Sequence, residues 1–333
     1  MNRFEVVHPG LLTTYQDLGR PEMLKYALSA SGAMDQSAAR LVNLLLHNSE
    51  ESAVLETTMA GLTLRALNDG LIVVGGADLN FMINAMPAEM WTVLKIRAGD
   101  IVSFEKQKTG VRAYLGVFGG FDSPVILGSR SVYLRGALGR ALKIGDEICS
   151  LAAKGRKPQQ GKHLPLKYIP DMSTENPFRV LPGPQIDHFT ENGIHTFSHS
   201  TYSISLVSDR QGIRTEGPEI EKSKGPDIIT DPTPMGSIQV PGSGVPIILH
   251  RDAQVTGGYA KIALLCVADQ DRAGQLVPFD KIHFKFIDRS EALQLLKNKN
   301  QWLQEIKDYL EKGNRFGNPL HSVTHFIRSR GSS

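Results

Sequence analysis

A mainly β protein with a few helices, built from two related β domains, is the architecture this sequence predicts. Three observations lead there. Short apolar runs punctuated by Gly or Pro recur along the chain, the pattern of sandwiches and barrels rather than of a parallel α/β sheet. Only two segments carry a clear helical repeat. The two halves also open alike, Phe4-x-Val6-x-x-Pro9-Gly10 in the first and Phe178-x-Val180-x-Pro182-Gly183 in the second.

Taken in order, strands are expected at Gly61 to Leu67, Leu71 to Val74, Ile101 to Phe104, Val111 to Phe118, Tyr202 to Val207, Val245 to Leu249 and Ile282 to Ile287. Asp35 is placed to cap a helix whose Ala38, Leu41, Val42 and Leu45 share one face, ending near His47-Asn48. Ser290 is placed to cap a second, with Leu293, Leu296, Leu303, Ile306 and Leu310 apolar and Gly313 as its stop. Ala153 to Pro177 holds four prolines and several Lys/Arg among few apolar residues, the composition of a linker. The expected units are therefore a β domain at 1–152, a linker at 153–177, a second β domain at 178–289, and a helix with a basic tail at 290–333.

With 333 residues, 41% hydrophobic and 21% charged, 32 Gly and 18 Pro, the chain has a globular, turn-rich composition. A net charge of +3 without a basic, aromatic-studded patch gives no reason to expect a nucleic-acid partner. No apolar leader or membrane-length run is visible, so a cytoplasmic protein is expected. Cys149 and Cys266 lie far apart with no metal-ligand spacing. The ten histidines show no H-E-x-x-H, so no metal site is expected, and there is no P-loop.

The segment Met235 to Lys261 carries the densest chemistry. Pro241-Gly242-Ser243-Gly244 reads as a turn. A strand follows and ends in His250, Arg251, Asp252, Gln254, Thr256 and Tyr259, with Gly257 and Gly258 between them. A solvated hairpin end and a binding rim both satisfy this pattern. Three further clusters stand out. Gln16 to Arg20 is followed by Ser31-Gly32-Ala33-Met34-Asp35, where Asp35 fits either a plain cap or an anion-sensitive helix start. Gly119 to Asp122 precedes Gly128-Ser129-Arg130-Ser131, where Arg130 fits a surface turn or a bidentate grip on a carboxylate. In Ser208 to Arg214 an ion pair of Asp209 with Arg210 or Arg214 is the preferred reading, and an acidic-substrate contact at Arg214 the alternative. Ser31 lacks a nucleophile-elbow setting.

Seven ordered motifs together resemble the Kip-type, allophanate hydrolase subunit 2-like family, which includes the C-type subunit of 5-oxoprolinase (KipA) and the carboxyltransferase part of urea carboxylase. They are Pro9 to Arg20, Ser31 to Asp35, Leu127 to Ser131, Leu181 to Gln185, Ser208 to Arg210, Gly236 to Pro241 and Gln254 to Tyr259, spanning most of Phe4 to Ala292. The resemblance implies two cyclophilin-like β-barrel domains in tandem. It also implies a complex with a shorter homologous Kip-type partner (the B-type subunit) and the A-type subunit of 5-oxoprolinase. That complex opens 5-oxo-L-proline to L-glutamate with ATP. Without a P-loop here, ATP is expected mainly on another subunit or at an interface. No lysine of the biotin-carrying kind is present, since Gly32-Ala33-Met34-Asp35 has Asp where Lys is needed. Two alternatives share the resemblance: carboxyl transfer from a biotinylated partner to a urea-type amide, and sequestration of a Kip-type kinase inhibitor.

On this reading Asp252, Arg251 and Lys261 are the catalytic candidates. Arg251 or Lys261 holds a carboxylate or developing anion, and Asp252 orients them or acts as a base. Gln239, Gln254 and Thr256 supply hydrogen bonds, Tyr259 walls the pocket, and Arg130 and Asp35 complete it. The chain departs from the usual Asp-Arg-Gln-Thr-Thr-Gly-Gly-Tyr-Pro at Ala253 and Val255. Strand alternation would put Arg251 on the same face as Ala253, in place of the usual arginine. Phe279 stands where a turn glycine is common.

Overall fold

The computed structural model describes residues 1–225 and 227–312. Its two halves are both sheet-built, as the runs of β-branched and apolar residues require. In the first half a seven-stranded and a five-stranded sheet enclose a core of Phe4, Leu55, Leu64, Ile72, Val102, Leu115 and Phe121, among others. In the second half an eight-stranded sheet surrounds Phe178, Phe197, Tyr202, Ile238, Ile248, Ile262 and Phe284. Its two edge strands are Lys281–Ile282 and Phe284–Phe286. Only His283 separates them in sequence, so the sheet has wrapped until its edges nearly meet, which leaves little unpaired backbone. The continuous strand expected from Ile282 to Ile287 is broken there because the chain switches from one edge to the other.

Most other expected strands form with small shifts: Leu62–Ala66, Gly70–Asp78, Ile101–Phe104 and Thr109–Val117. Tyr202–Ile204 is shorter than expected because Leu206 and Val207 pass into an exposed turn. Pro241 to Gly244 is a turn closed by the Gly244 N–H on the Pro241 carbonyl at 2.9 Å. A separate two-stranded ribbon pairs Asp227–Pro232 with Thr256–Tyr259.

Among the described residues there are four α-helices: α1 (Gln36–Leu45), α2 (Glu191–His199), α3 (Val267–Ala273) and α4 (Arg289–Lys312). Asp35 caps α1 as the sequence indicates, accepting from Ala38 N at 2.9 Å. α4 begins one residue before Ser290, and the cap is Asp288, whose Oδ1 accepts from Glu291 N at 2.8 Å. Its expected stop, Gly313, and the basic tail lie outside the described residues. α4 leaves the second half and returns to the first, burying Ile306 and Leu310 beside Leu41, Leu45 and Trp91. The linker is docked as well: Leu164 is buried, and its N–H donates to the Trp91 carbonyl at 2.9 Å. No helix among the described residues is long and apolar enough to cross a membrane.

Candidate functional site

The polar residues singled out from the sequence do not share one cleft. They fall into three places, two at the seam between the halves and one within the second half.

At the seam lies a buried ionic network centred on Arg210. Its Nε and Nη2 donate to Asp252 at 2.9 and 3.1 Å, its Nη1 donates to Glu56, and Nη2 also reaches the Gly32 carbonyl at 2.6 Å. Ser31 Oγ donates to Asp252 at 2.7 Å. Glu56 further accepts from Met34 N at 2.8 Å and from the Tyr114 hydroxyl at 2.9 Å. Burial by itself would push the Glu56 carboxyl up, but the Arg210 and Arg112 charges prevail and hold it below its usual range. Asp252, expected as a base or orienting group, is thus buried and has both carboxylate oxygens engaged. Here it fastens one half to the other. The expected Asp209 ion pair with Arg210 or Arg214 does not form, because Arg210 turns inward and Asp209 pairs with Arg135 at 3.0 Å.

Asp35 belongs to the same seam. Besides capping α1, it accepts from Gln275 Nε2 at 2.9 Å. Asp271 of α3 reaches the same helix start, accepting from Gln36 N and Ser37 N at 3.1 Å each, and is paired with Lys299 at 2.7 Å. Burial and the neighbouring Asp271 charge push the Asp35 carboxyl up to about 7. Two carboxylates therefore occupy the N-terminus of α1, and the residues there do not fit a nucleotide phosphate.

The second place is the mouth of the second half, under the ribbon. Lys261 has no solvent exposure, and its Nζ donates to Asp231 on the ribbon at 2.7 Å. Gln185 Nε2 donates to the same Asp231 oxygen at 3.2 Å. Gln239 is the cross-strand partner of Lys261, so the two side chains share a face. Gln211 donates to Gln254 at 2.8 Å, and Gln254 lies 3.5 Å from Gln239, forming a row of amides. Gly257 lets the ribbon close over them, since a Cβ there would sit 2.7 Å from Gln239 Nε2. Thr256 and Tyr259, at the two ends of the strand, are both exposed. Lys261, Gln239 and Gln254 are thereby brought together, with Tyr259 joined to them through its carbonyl, which accepts from Gln239 Nε2 at 3.5 Å. Such a cluster presents amide donors and acceptors beside one ammonium, a set suited to a small neutral amide whose oxygen gains negative charge.

The third place is a cavity of about 550 Å³ between the halves, lined by Arg130 and Arg251 with Asp17, Gly19, Gln36 and Arg40, among others. Arg251 does not stand in for the usual arginine by strand alternation. His250 to Val255 is a turn and irregular segment rather than a strand, tied by Ala253 N to the His250 carbonyl at 2.9 Å. Ala253 is buried.

Sequence reasoning missed Arg210 as the hub, passed over Glu56 and Asp231, and named Gln185 only as part of a motif. Glu56 is the one with a visible signal, being the lone carboxylate in the β-branched-rich run Val54–Thr58, which folds into a mostly buried strand where an unpaired charge is untenable.

Residues 26–286 match the model of the carboxyltransferase domain, subdomain A and B, and the chain belongs to that family. It is 30% identical to the C-type subunit of 5-oxoprolinase from Escherichia coli, covering 91% of this chain and 97% of the relative. Against the corresponding 5-oxoprolinase subunit of Haemophilus influenzae it is 32% identical, covering 90% and 96%. The crystal structure of the K. lactis urea amidolyase superposes with a TM-score of 0.85 at 29% identity over 91% of this chain, which spans only 20% of that longer one.

Proposed function

We propose that this chain is one component of an ATP-dependent 5-oxoprolinase complex, opening a cyclic amide to an amino acid together with the A-type subunit and a shorter homologue. The observation that carries the reading is the span of the match. Alignment runs over 96–97% of the two 5-oxoprolinase subunits, whereas the urea amidolyase of Lachancea kluyveri is matched over 18% of its length. ATP is handled mainly by another subunit or at an interface, in keeping with the two carboxylates at the start of α1. The ribbon-covered cluster is the amide-binding element: Gln239 and Gln254 address the lactam N–H and C=O, and Lys261 stabilises the oxygen as it gains charge. Asp231 must swing away with the ribbon to admit the substrate.

The test is reconstitution with both partner subunits, following glutamate release from 5-oxoproline with ATP. Lys261→Gln is expected to lower the rate by about a hundredfold, the scale of losing one oxyanion-stabilising donor. Full activity of that variant would reject the site. The family's carboxyltransferase relatives favour one second reading, carboxyl transfer from a biotinylated partner. ATP-dependent carboxylation of urea by a complex containing such a partner, with no glutamate release, would select it.

A further inference from the structure

We infer that the 550 Å³ cavity at the domain seam is a binding site for a small carboxylate, with Arg251 as its anchor. The starting point is an anomaly. The Arg251 side chain is only 12% exposed, yet its guanidinium makes no hydrogen bond among the described residues. Its Nε is enclosed without a partner, and its nearest carboxylate, Asp271, is 3.9 Å from Nη2, beyond hydrogen-bond reach. Asp271 is already committed to Lys299 and to the start of α1. A guanidinium carries five donors in a fixed fork, and burying it without acceptors is costly. Planar carboxylates match that fork in bidentate fashion.

The rest of the cavity is arranged to leave Arg251 available. The turn that carries it is pinned through its backbone, where the Arg251 carbonyl accepts from Ser29 Oγ at 2.8 Å and Ser31 N at 3.1 Å. Of the two acidic residues in the wall, Asp17 and Glu51, Asp17 is held by its own turn and by the 129–131 segment, accepting from Gly19 N, Ser129 Oγ, Ser131 Oγ and Arg130 N. Arg130 and Arg40 are each paired outward, to Asp122 and Glu50, and keep further donors for the rim. Leu18, Pro21 and Val125 offer an apolar side for the body of a small acid. Because Arg251 comes from the second half and the other lining groups from the first, an occupant bridges the two. The inference rests on the buried guanidinium that makes no hydrogen bond among the described residues and not on the 5-oxoprolinase reading. If that reading holds, 5-oxoproline and glutamate both have the required group.

The experiment is thermal unfolding and calorimetric titration of the full chain with 5-oxoproline, glutamate, butyrate and inorganic phosphate at matched ionic strength. At least one carboxylate is expected to bind saturably and raise the melting temperature. Arg251→Lys should weaken that binding by at least about tenfold, because the fork is lost while the charge stays. Arg251→Met should abolish it, and its ligand-free melting curve is recorded alongside, because the charge facing Asp271 at 3.9 Å is removed as well. Ala30→Leu, which fills the cavity and leaves Arg251 in place, should also abolish it. No saturable carboxylate binding, equal binding by Arg251→Lys and Ala30→Leu, or binding of phosphate alone would each overturn the inference. None of these results depends on glutamate release by the complex.

Discussion

Asp35 shows how one side chain carries two duties that pull apart. Its cap to Ala38 N is local, and the spacing from Asp35 to the apolar stripe of α1 reveals it. Its burial opposite Asp271 depends on α3, more than two hundred residues later, and is invisible in the sequence. The folded-state pKa, pushed up from 3.8 to about 7, lies above the unfolded value. The folded protein therefore holds more protons between those values, and this group's contribution to stability falls as pH rises from about 4 through about 7. Asp35→Asn keeps a capping side chain and removes the charge. It should stabilise the protein at pH 8 by on the order of 1 kcal/mol and change little near pH 4. Denaturant titrations at the two pH values check this, and a loss of stability at pH 8 would contradict it.

Among the elements, α4 is the most consequential. It is a 24-residue helix that follows the second half yet places Ile306 and Leu310 in the core beside α1. Lys307 also pairs with Glu50, at 2.6 Å, and Lys299 with Asp271. Its apolar repeat was legible, but which surface receives it was not, because amphipathicity names a face and no partner. Ile306→Ala should cost about 2–4 kcal/mol, measured by urea unfolding, through lost transfer energy and the cavity left behind. A cost below about 0.5 kcal/mol, typical of surface positions, would show that α4 does not pack on the first half in solution. The ribbon of Asp227–Pro232 and Thr256–Tyr259 is the other telling element. Its glycines were visible, while its partner strand was not, since Asp227 to Pro232 has no alternating apolar pattern and is largely exposed.

At the scale of the molecule, the halves are joined by charge as well as by apolar contact. Arg210 links Asp252 with Glu56, Ser31 and Gly32 of the other half. Such a network is weak evidence for net stability, but breaking it is costly because the remaining charges stay buried. Arg210→Met should therefore lower stability by about 3–5 kcal/mol and, if the halves fold separately, split one unfolding transition into two. Calorimetry distinguishes these outcomes, and an unchanged single transition would deny the network its role. The same seam creates the cavity around Arg251, so fastening the halves and shaping that space are one structural event.

What the sequence determined by itself was the β architecture, the cap and apolar face of α1, the existence of α4, and membership of a family through ordered motifs. These rest on interactions between near neighbours in the chain, or on patterns of period two and 3.6 that any packed core imposes. The tertiary structure alone decided which polar residues meet. Arg210 and Glu56 are 154 positions apart, and Ser31 and Asp252 are 221 apart, distances over which spacing carries no information. For that reason a single expected cleft resolved into a buried lock at Asp252, an amide row beneath the ribbon at Lys261, and a guanidinium at Arg251 that makes no hydrogen bond among the described residues. Burial and available partners, rather than residue type, set the difference among the three.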